Sequence, residues 1–199
     1  AIRRRGATRL FTERRGFVES TPNYHFQNPS GRHTERFVRL SNILTRPSEI
    51  SFLAFCLLPQ IPTGARYCYV DTVAMLPLVA ALNDHWRALD PDRAPLSADS
   101  FASYDGLERY AFTRQSESFV LISASSSGGL ARRVVEAEPR FDSGSIVHVL
   151  FHGSDPAPYL AAINLGYDAD HNPEGTLHKT SQHVAENCQL CQDGSTVIP

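Results

Sequence analysis

With 199 residues, 42% of them hydrophobic and 20% charged, the chain can build one sizeable domain with its own core. Its longest apolar runs are far too short to span a membrane. Its four cysteines (Cys56, Cys68, Cys188, Cys191) are too few for a disulfide scaffold at this length, and the arginines of "AIRRRG" are not followed by a secretory apolar run, so a cytoplasmic protein is expected.

The net charge of −2 conceals a polarity: residues 1–46 hold ten arginines against three glutamates, a balance of +7, which leaves −9 for the remainder. A basic arm of this kind suits contact with another copy or a protein partner first, and sequence-independent contact with nucleic acid second. The plain alternative is a solvated basic face.

In chain order, "RPSEISFLAFCLLP" reads as a helix from Pro47, with Ile50, Leu53, Ala54 and Leu57 on one face and Pro59 as its stop. "RYCYV" (Arg66–Val70) reads as a buried strand. The turn "DTVAM" leads into "LPLVAALNDHWRALDP", where Leu76, Val79, Asn83, Trp86 and Leu89 keep helical spacing as far as Asp90 and Pro91. A polar stretch containing "SFASYDG" follows. "RYAFT" and "SFVLIS" stand close enough to form a hairpin turned by "RQSE". A helix is expected over Gly129–Glu138, closed by Pro139, and then a strand over Ser145–Phe151. "SDPAPYLAAINLG" carries the marks of a further helix: Asp155 as N-cap, Pro156 at the first helical position and Gly166 as C-cap. Strands alternating with helices predict an α/β fold, a mainly parallel, doubly wound sheet with an antiparallel hairpin. The expected divisions are a basic N-terminal segment (1–46), an α/β core (47–166) and a small polar appendage (167–199).

Two strand-to-helix turns are candidates to carry a ligand at the carboxyl ends of such strands. One is "VDTVAMLP" (70–77), with Asp71 and Thr72. The other is "SASSSGGL" (123–130), where Gly128 and Gly129 permit a tight turn and close approach of a ligand. Ser123 opens this turn, Ser125, Ser126 and Ser127 add hydroxyls, and the following helix turns its positive end towards the loop. That combination suits the phosphate of a small molecule or nucleotide; the plainer reading is that Ser and Gly are common at such turns. No Walker lysine follows, and the G-x-G-x-x-G spacing is absent. "SFASYDG" either brings Tyr104 or Asp105 over the site or is an ordinary polar loop. In the tail, "HKTSQHVAENCQLC" sets His178, His183, Cys188 and Cys191 at spacings that a structural zinc accepts. Free thiols with surface histidines, or a redox pair, are the alternatives. His148, inside a predicted strand, reads as a core or barely exposed residue rather than a ligand.

Several of these segments together resemble the type I phosphoribosyltransferases, and their orotate branch in particular, over roughly residues 17–165. "YHFQNPSGRHTERFVRLSNILTRP" (24–47) is similar to the N-terminal hood segment of that family. "YVDTVAMLPLVAAL" stands where the family has its pyrophosphate loop, and "FVLISASSSGGLARRV" where it has four apolar residues, two acids and a Ser/Thr-Gly-rich phosphate loop. The departures are specific. Ser123 and Ala124 stand at the places of the two acids, and no glycine lies between Val70 and Leu82. Lys179 is the chain's single lysine, so the lysine-bearing mobile loop has no counterpart. The resemblance therefore implies a phosphate cradle in a site without its catalytic charge, with weak magnesium binding. It implies a nucleotide- or phosphoribosyl-binding member of a multi-component bacterial stress or defence assembly. The alternatives are an active transferase drawing carboxylates from Asp71, Asp105 or Asp155, and a phosphosugar-binding domain, since "VLISASSSGGLARRV" also resembles the loop of sugar isomerase domains.

Overall fold

The computed structural model describes residues 2–28, 31–113, 116–142, 144–153, 160–170, 172–173, 175 and 181–198. Eleven strands and six α-helices are found among them. They are α1 (Ile2–Glu13), β1 (Phe17–Glu19), β2 (Tyr24–Gln27), β3 (His33–Thr34), β4 (Arg36–Val38), α2 (Pro47–Leu57), β5 (Tyr67–Val70), α3 (Leu76–Leu89), β6 (Ser97–Ser100), α4 (Ser103–Leu107), β7 (Ser118–Ser125), α5 (Gly129–Ala137), β8 (Ile146–Phe151), β9 (Leu160–Asn164), β10 (Gln182–His183), α6 (Gln189–Gln192) and β11 (Thr196–Ile198).

β6, β5, β7, β8 and β9 lie side by side in that order, every pair parallel. The strand pleat divides the core in two. Cys68, Val70, Phe119 and Leu121 face a layer built from Ala7, Leu10 and Phe11 of α1, Leu53 and Leu57 of α2, and Leu78 and Leu82 of α3. Tyr69, Val120 and Ile122 face the other side, packing with Leu130 and Val134 of α5 and an aromatic group of Phe101, Phe112 and Phe141. Both faces are thus covered, as a doubly wound sheet requires. Burying each of these large side chains is worth roughly 1.5–3 kcal/mol. Polar links fix the register of the layers: the Asn83 side chain exchanges two hydrogen bonds with the Leu96 backbone, at 2.8 and 3.0 Å, and so ties α3 to the start of β6.

A second, four-stranded sheet runs β10-β3-β2-β11, with β2 and β3 as an antiparallel hairpin. β1 and β4 form a further antiparallel pair. No helix among the described residues is long and apolar enough to cross a membrane.

Three expectations need correction. The antiparallel hairpin is β2–β3, whereas β7 has parallel neighbours on both sides, and 109–113 forms no strand. Tyr110 and Phe112 instead turn their rings onto Tyr69, with centroids 5.8 and 4.9 Å away. The polar stretch before "ASYDG", for which the sequence predicts no element, holds the edge strand β6 over 97–100, which needs only one paired side. The segment read as a helix up to Gly166 is the strand β9 over 160–164, paired with β8; Asp155 and Pro156 lie outside the described residues.

Candidate functional site

In this sheet the chain starts at β5, steps outward to β6, and then crosses back to β7 on the opposite side of β5. The direction of winding therefore reverses between β5 and β7. Helices leave these two strands on opposite faces, and their carboxyl ends bound a crevice between them. Asp71 follows β5, and Ser123–Ser125 close β7. The crevice opens into a cavity of about 650 Å³ whose wall includes Asp71, Ser123, Ser125, Ser126, Ser127 and Gly129. Arg32, Thr34 and Gln182 wall it from the side of the second sheet, Arg36 from β4, and His152 and Gly153 from the end of β8.

The loop is shaped by its small residues. Gly128 has φ of 68°, a left-handed conformation open to glycine at little cost, and it caps α5. Its N–H donates to Ser125 Oγ at 2.8 Å, and Arg132 Nη1 donates to the Ser127 carbonyl at 2.7 Å. Gly129 is at the first position of α5, where a methyl would lie 2.9 Å from the Tyr104 hydroxyl and would require that side chain to shift. The first turn of a helix leaves N–H groups without intrahelical partners, and here that turn begins at the cavity wall. Gly153 sits so close behind the loop that a Cβ would overlap the Ser126 carbonyl oxygen.

Asp71 is buried, and its Oδ2 accepts from the Ser123 N–H at 3.1 Å and from Ser123 Oγ at 2.6 Å. Oδ1 is buried without a partner among the described residues. Burial pushes the carboxyl up to about 6, opposed first by the two Ser123 hydrogen bonds and then by the Asp71 and Thr72 backbone N–H groups. His152 is moved the other way, down to about 4, by burial and by the nearby Arg36 charge. It is therefore a neutral imidazole at pH 7. The cations at the wall are Arg36, whose Nη2 also donates to Glu19 Oε1 at 2.8 Å, and the exposed Arg32.

Of the expected ligand residues, Asp71, Ser123, Ser125, Ser126, Ser127 and Gly129 meet at this cavity, and Gly128 braces it from behind. Thr72 is outside its wall, at the start of a short turn leading to α3. Tyr104 lines the cavity, and Asp105 is exposed away from it. The contribution of the second sheet was hidden in the sequence, because Arg32 and Thr34 stand well before Asp71 in the chain and Gln182 far after it.

A second cluster gathers between the β2–β3 hairpin and α6. His25, His33, Cys188 and Cys191 bring one ligand atom each within 4.8 Å of one another, and the group could hold a metal ion. His25 Nε2 is 3.2 Å from His33 Nδ1, 3.5 Å from Cys191 Sγ and 3.7 Å from Cys188 Sγ; His33 Nδ1 is 3.3 Å from Cys191 Sγ. His25, His33 and Cys188 are buried, and Cys191 is partly so. His25 Nδ1 lies 2.9 Å from Ser195 Oγ, a contact that fixes the ring. The cysteine pair was legible as C-x-x-C. The histidines come from the other end of the chain, and only the fold brings them in. His183 is opposite His33 in the β10–β3 register and outside this group of four, and His178 lies outside the described residues. His148 is a buried residue of β8, as its position in the strand suggests.

No protein-family model matches the chain, and no curated protein matches it in sequence. Solved structures are similar to it over most of its length. The chain is similar to the orotate phosphoribosyltransferase of Aeropyrum pernix, at 13% identity and a TM-score of 0.48, over 79% of this chain and 93% of that one. It is similar to the orotate phosphoribosyltransferase of Mycobacterium tuberculosis H37Rv, at 16% identity and a TM-score of 0.49, over 82% and 95%. A third likeness, to Leishmania donovani UMP synthase, has 14% identity and a TM-score of 0.49, over 79% of this chain and 35% of that one.

Proposed function

We propose that this chain binds a phosphorylated, hydroxyl-bearing small molecule of nucleotide or phosphoribosyl type at the β5–β7 crevice, without transferring the phosphoribosyl group. One observation carries the reading: a glycine-led helix start and a buried carboxylate oxygen lacking a partner among the described residues share one cavity wall. The helix start, the serine hydroxyls and Arg32 suit the phosphate. Asp71 Oδ1 suits a ligand hydroxyl, which would supply the missing donor. Ser123 and Ala124 offer no charge for metal-bound pyrophosphate, and Asp71 is the one carboxylate among the described wall residues. That donor set favours holding over chemistry.

A second reading has one observation in its favour. Asp71 reaches the place where Ser123 stands, so an acid is present at the crevice even though the β7 end lacks one. Calorimetry with phosphoribosyl pyrophosphate and with a nucleoside monophosphate, with and without magnesium, separates the two. Binding that ignores magnesium is expected; magnesium-dependent binding with pyrophosphate release would establish the transferase instead.

The ion that the His25/His33/Cys188/Cys191 group would take is zinc in this proposal. Two imidazole nitrogens and two thiolates, none of them a carboxylate, form a closed donor set of the structural type.

A further inference from the structure

One ring nitrogen cannot serve three neighbours by hydrogen bonding. His25 Nε2 has a single proton or a single lone pair, yet His33 Nδ1, Cys191 Sγ and Cys188 Sγ all stand within 3.7 Å of it. A shared ion resolves this. With Zn–N of about 2.0–2.1 Å and Zn–S of about 2.3 Å, a tetrahedron has N···N edges of about 3.3 Å and N···S edges of about 3.6 Å. The N···N distance here is 3.2 Å, and the three N···S distances are 3.3, 3.5 and 3.7 Å. Four of the six edges of a zinc tetrahedron are thus matched to within about 0.3 Å, and the remaining two lie within 4.8 Å.

The placement of those corners matters more than the ion itself. His33 lies between Arg32 and Thr34, both of which wall the cavity. Thr34 pairs with Gln182 across the β3–β10 ladder, and Gln182 Nε2 donates to Ser126 Oγ of the phosphate loop at 3.0 Å. The other edge of the hairpin is held by β11, where Val197 is opposite His25. The second sheet is small, its strands two to four residues long. Strands this short bury little apolar surface of their own, and small units of this kind are commonly held by a metal or another cross-link.

We propose that a zinc ion at His25, His33, Cys188 and Cys191 is the clamp that holds the second sheet over the crevice, so that zinc occupancy and anion binding are thermodynamically coupled. The coupling half rests on the phosphate-binding reading above; the clamp half does not. The parallel sheet, with its two hydrophobic layers, is independent of the clamp and stays folded without it.

The test uses the full chain, zinc-loaded and zinc-stripped by chelation, with Cys188→Ser and Cys191→Ser as single variants. Metal analysis is expected to give one zinc per loaded chain and a loss of zinc in each variant. Amide hydrogen exchange is expected to show protection lost on stripping over β2, β3, β10 and β11, and kept over β5, β7 and β8. Inorganic phosphate should then bind more weakly to the stripped chain by a factor in the usual coupling range of roughly 5- to 150-fold. Substoichiometric zinc, exchange that stripping leaves unchanged, or unfolding of the parallel sheet along with the second sheet overturns the clamp. Equal phosphate affinity in both forms, with exchange changed as expected, overturns the coupling alone. If the loaded chain binds no phosphate, the anion-site reading fails and takes the coupling with it, while the exchange data still decide the clamp.

Discussion

Replacing Asp71 by asparagine removes a charge that the fold holds at a cost. The carboxyl stands at about 6 against 3.8 for a free aspartate, a difference of about two pH units. At 1.36 kcal/mol per unit this amounts to roughly 3 kcal/mol. The sign follows from which state releases its proton first. Below about pH 4 Asp71 is protonated in both folded and unfolded chains, and no penalty exists. As pH rises through about 4 the unfolded chain ionises, while the native one keeps its proton until about 6. Over that window the native state binds more protons, so its stability falls with rising pH, and above it the full penalty applies. The amide of Asp71→Asn would keep an acceptor for the Ser123 N–H and Oγ without the charge. Urea unfolding of wild type and variant from about pH 4 to 8 isolates the effect, because other titrating groups cancel in the difference. The wild type is expected to lose roughly 3 kcal/mol relative to Asp71→Asn across that range, most of it between about pH 4 and 6. A difference that is flat with pH would refute the claim that Asp71 is buried as a charge.

Other perturbations address the loop and the surface. Gly153→Ala would set a methyl against the Ser126 carbonyl and force the loop at 123–130 to shift; a loss of roughly 1–3 kcal/mol in thermal or urea stability is expected, together with weaker binding of the proposed phosphate ligand in a chain that still folds. Gly128→Val strains a position with φ of 68°, and Ser127→Asp places a carboxylate where an anion should sit, so both should abolish phosphate binding by calorimetry. Unchanged affinity in both variants would assign the ligand to another loop. Light scattering at low and high salt, with and without a generic oligonucleotide, tests the basic arm. Salt-sensitive self-association is expected first and oligonucleotide binding second; a monomer that ignores both leaves the arginines as a solvated face.

The arginines are less free than their count suggests. Arg9 pairs with Glu13, Arg36 with Glu19 and Arg14 with Glu49, whose Oε1 accepts from Arg14 Nε at 2.7 Å. The first two pairs draw on glutamates of the arm itself, and the third reaches across to α2.

What could be read from the sequence is what is encoded locally. The helical spacing of α2, α3 and α5 and the apolar runs of β5, β7 and β8 survive in the fold because each is long enough to bury a face. The loop at 123–130 was legible for the same reason: glycine and serine carry their backbone preferences with them. The failures have a common cause in tertiary context. β6 is polar because it is an edge strand with one exposed side, so its residues give no apolar signal. "LAAIN" has an alanine-rich, helix-favouring composition, but the open edge of β8 is available and pairing there wins. The aromatic residues of "RYAFT" looked like strand residues and are in fact packing residues of an irregular segment. Asp71 and Ser123 could each be named, but their hydrogen bond depends on β5 and β7 being neighbours. The metal group shows the limit most clearly: a C-x-x-C is visible, whereas its histidine partners are found only once β2, β3, β10 and β11 have assembled.

The strand order β10-β3-β2-β11 has a consequence for biosynthesis. The β2–β3 hairpin emerges from the ribosome early, but both of its neighbours are encoded after residue 181. At about 5–20 residues per second, it waits on the order of ten seconds with both edges unpaired. The parallel sheet has all its strands by residue 164 and can form in the meantime. The crevice is therefore covered only once residues 182–198 have been made, and a ribosome stalled before them would display the formed loop at 123–130 beneath a hairpin with both edges unpaired.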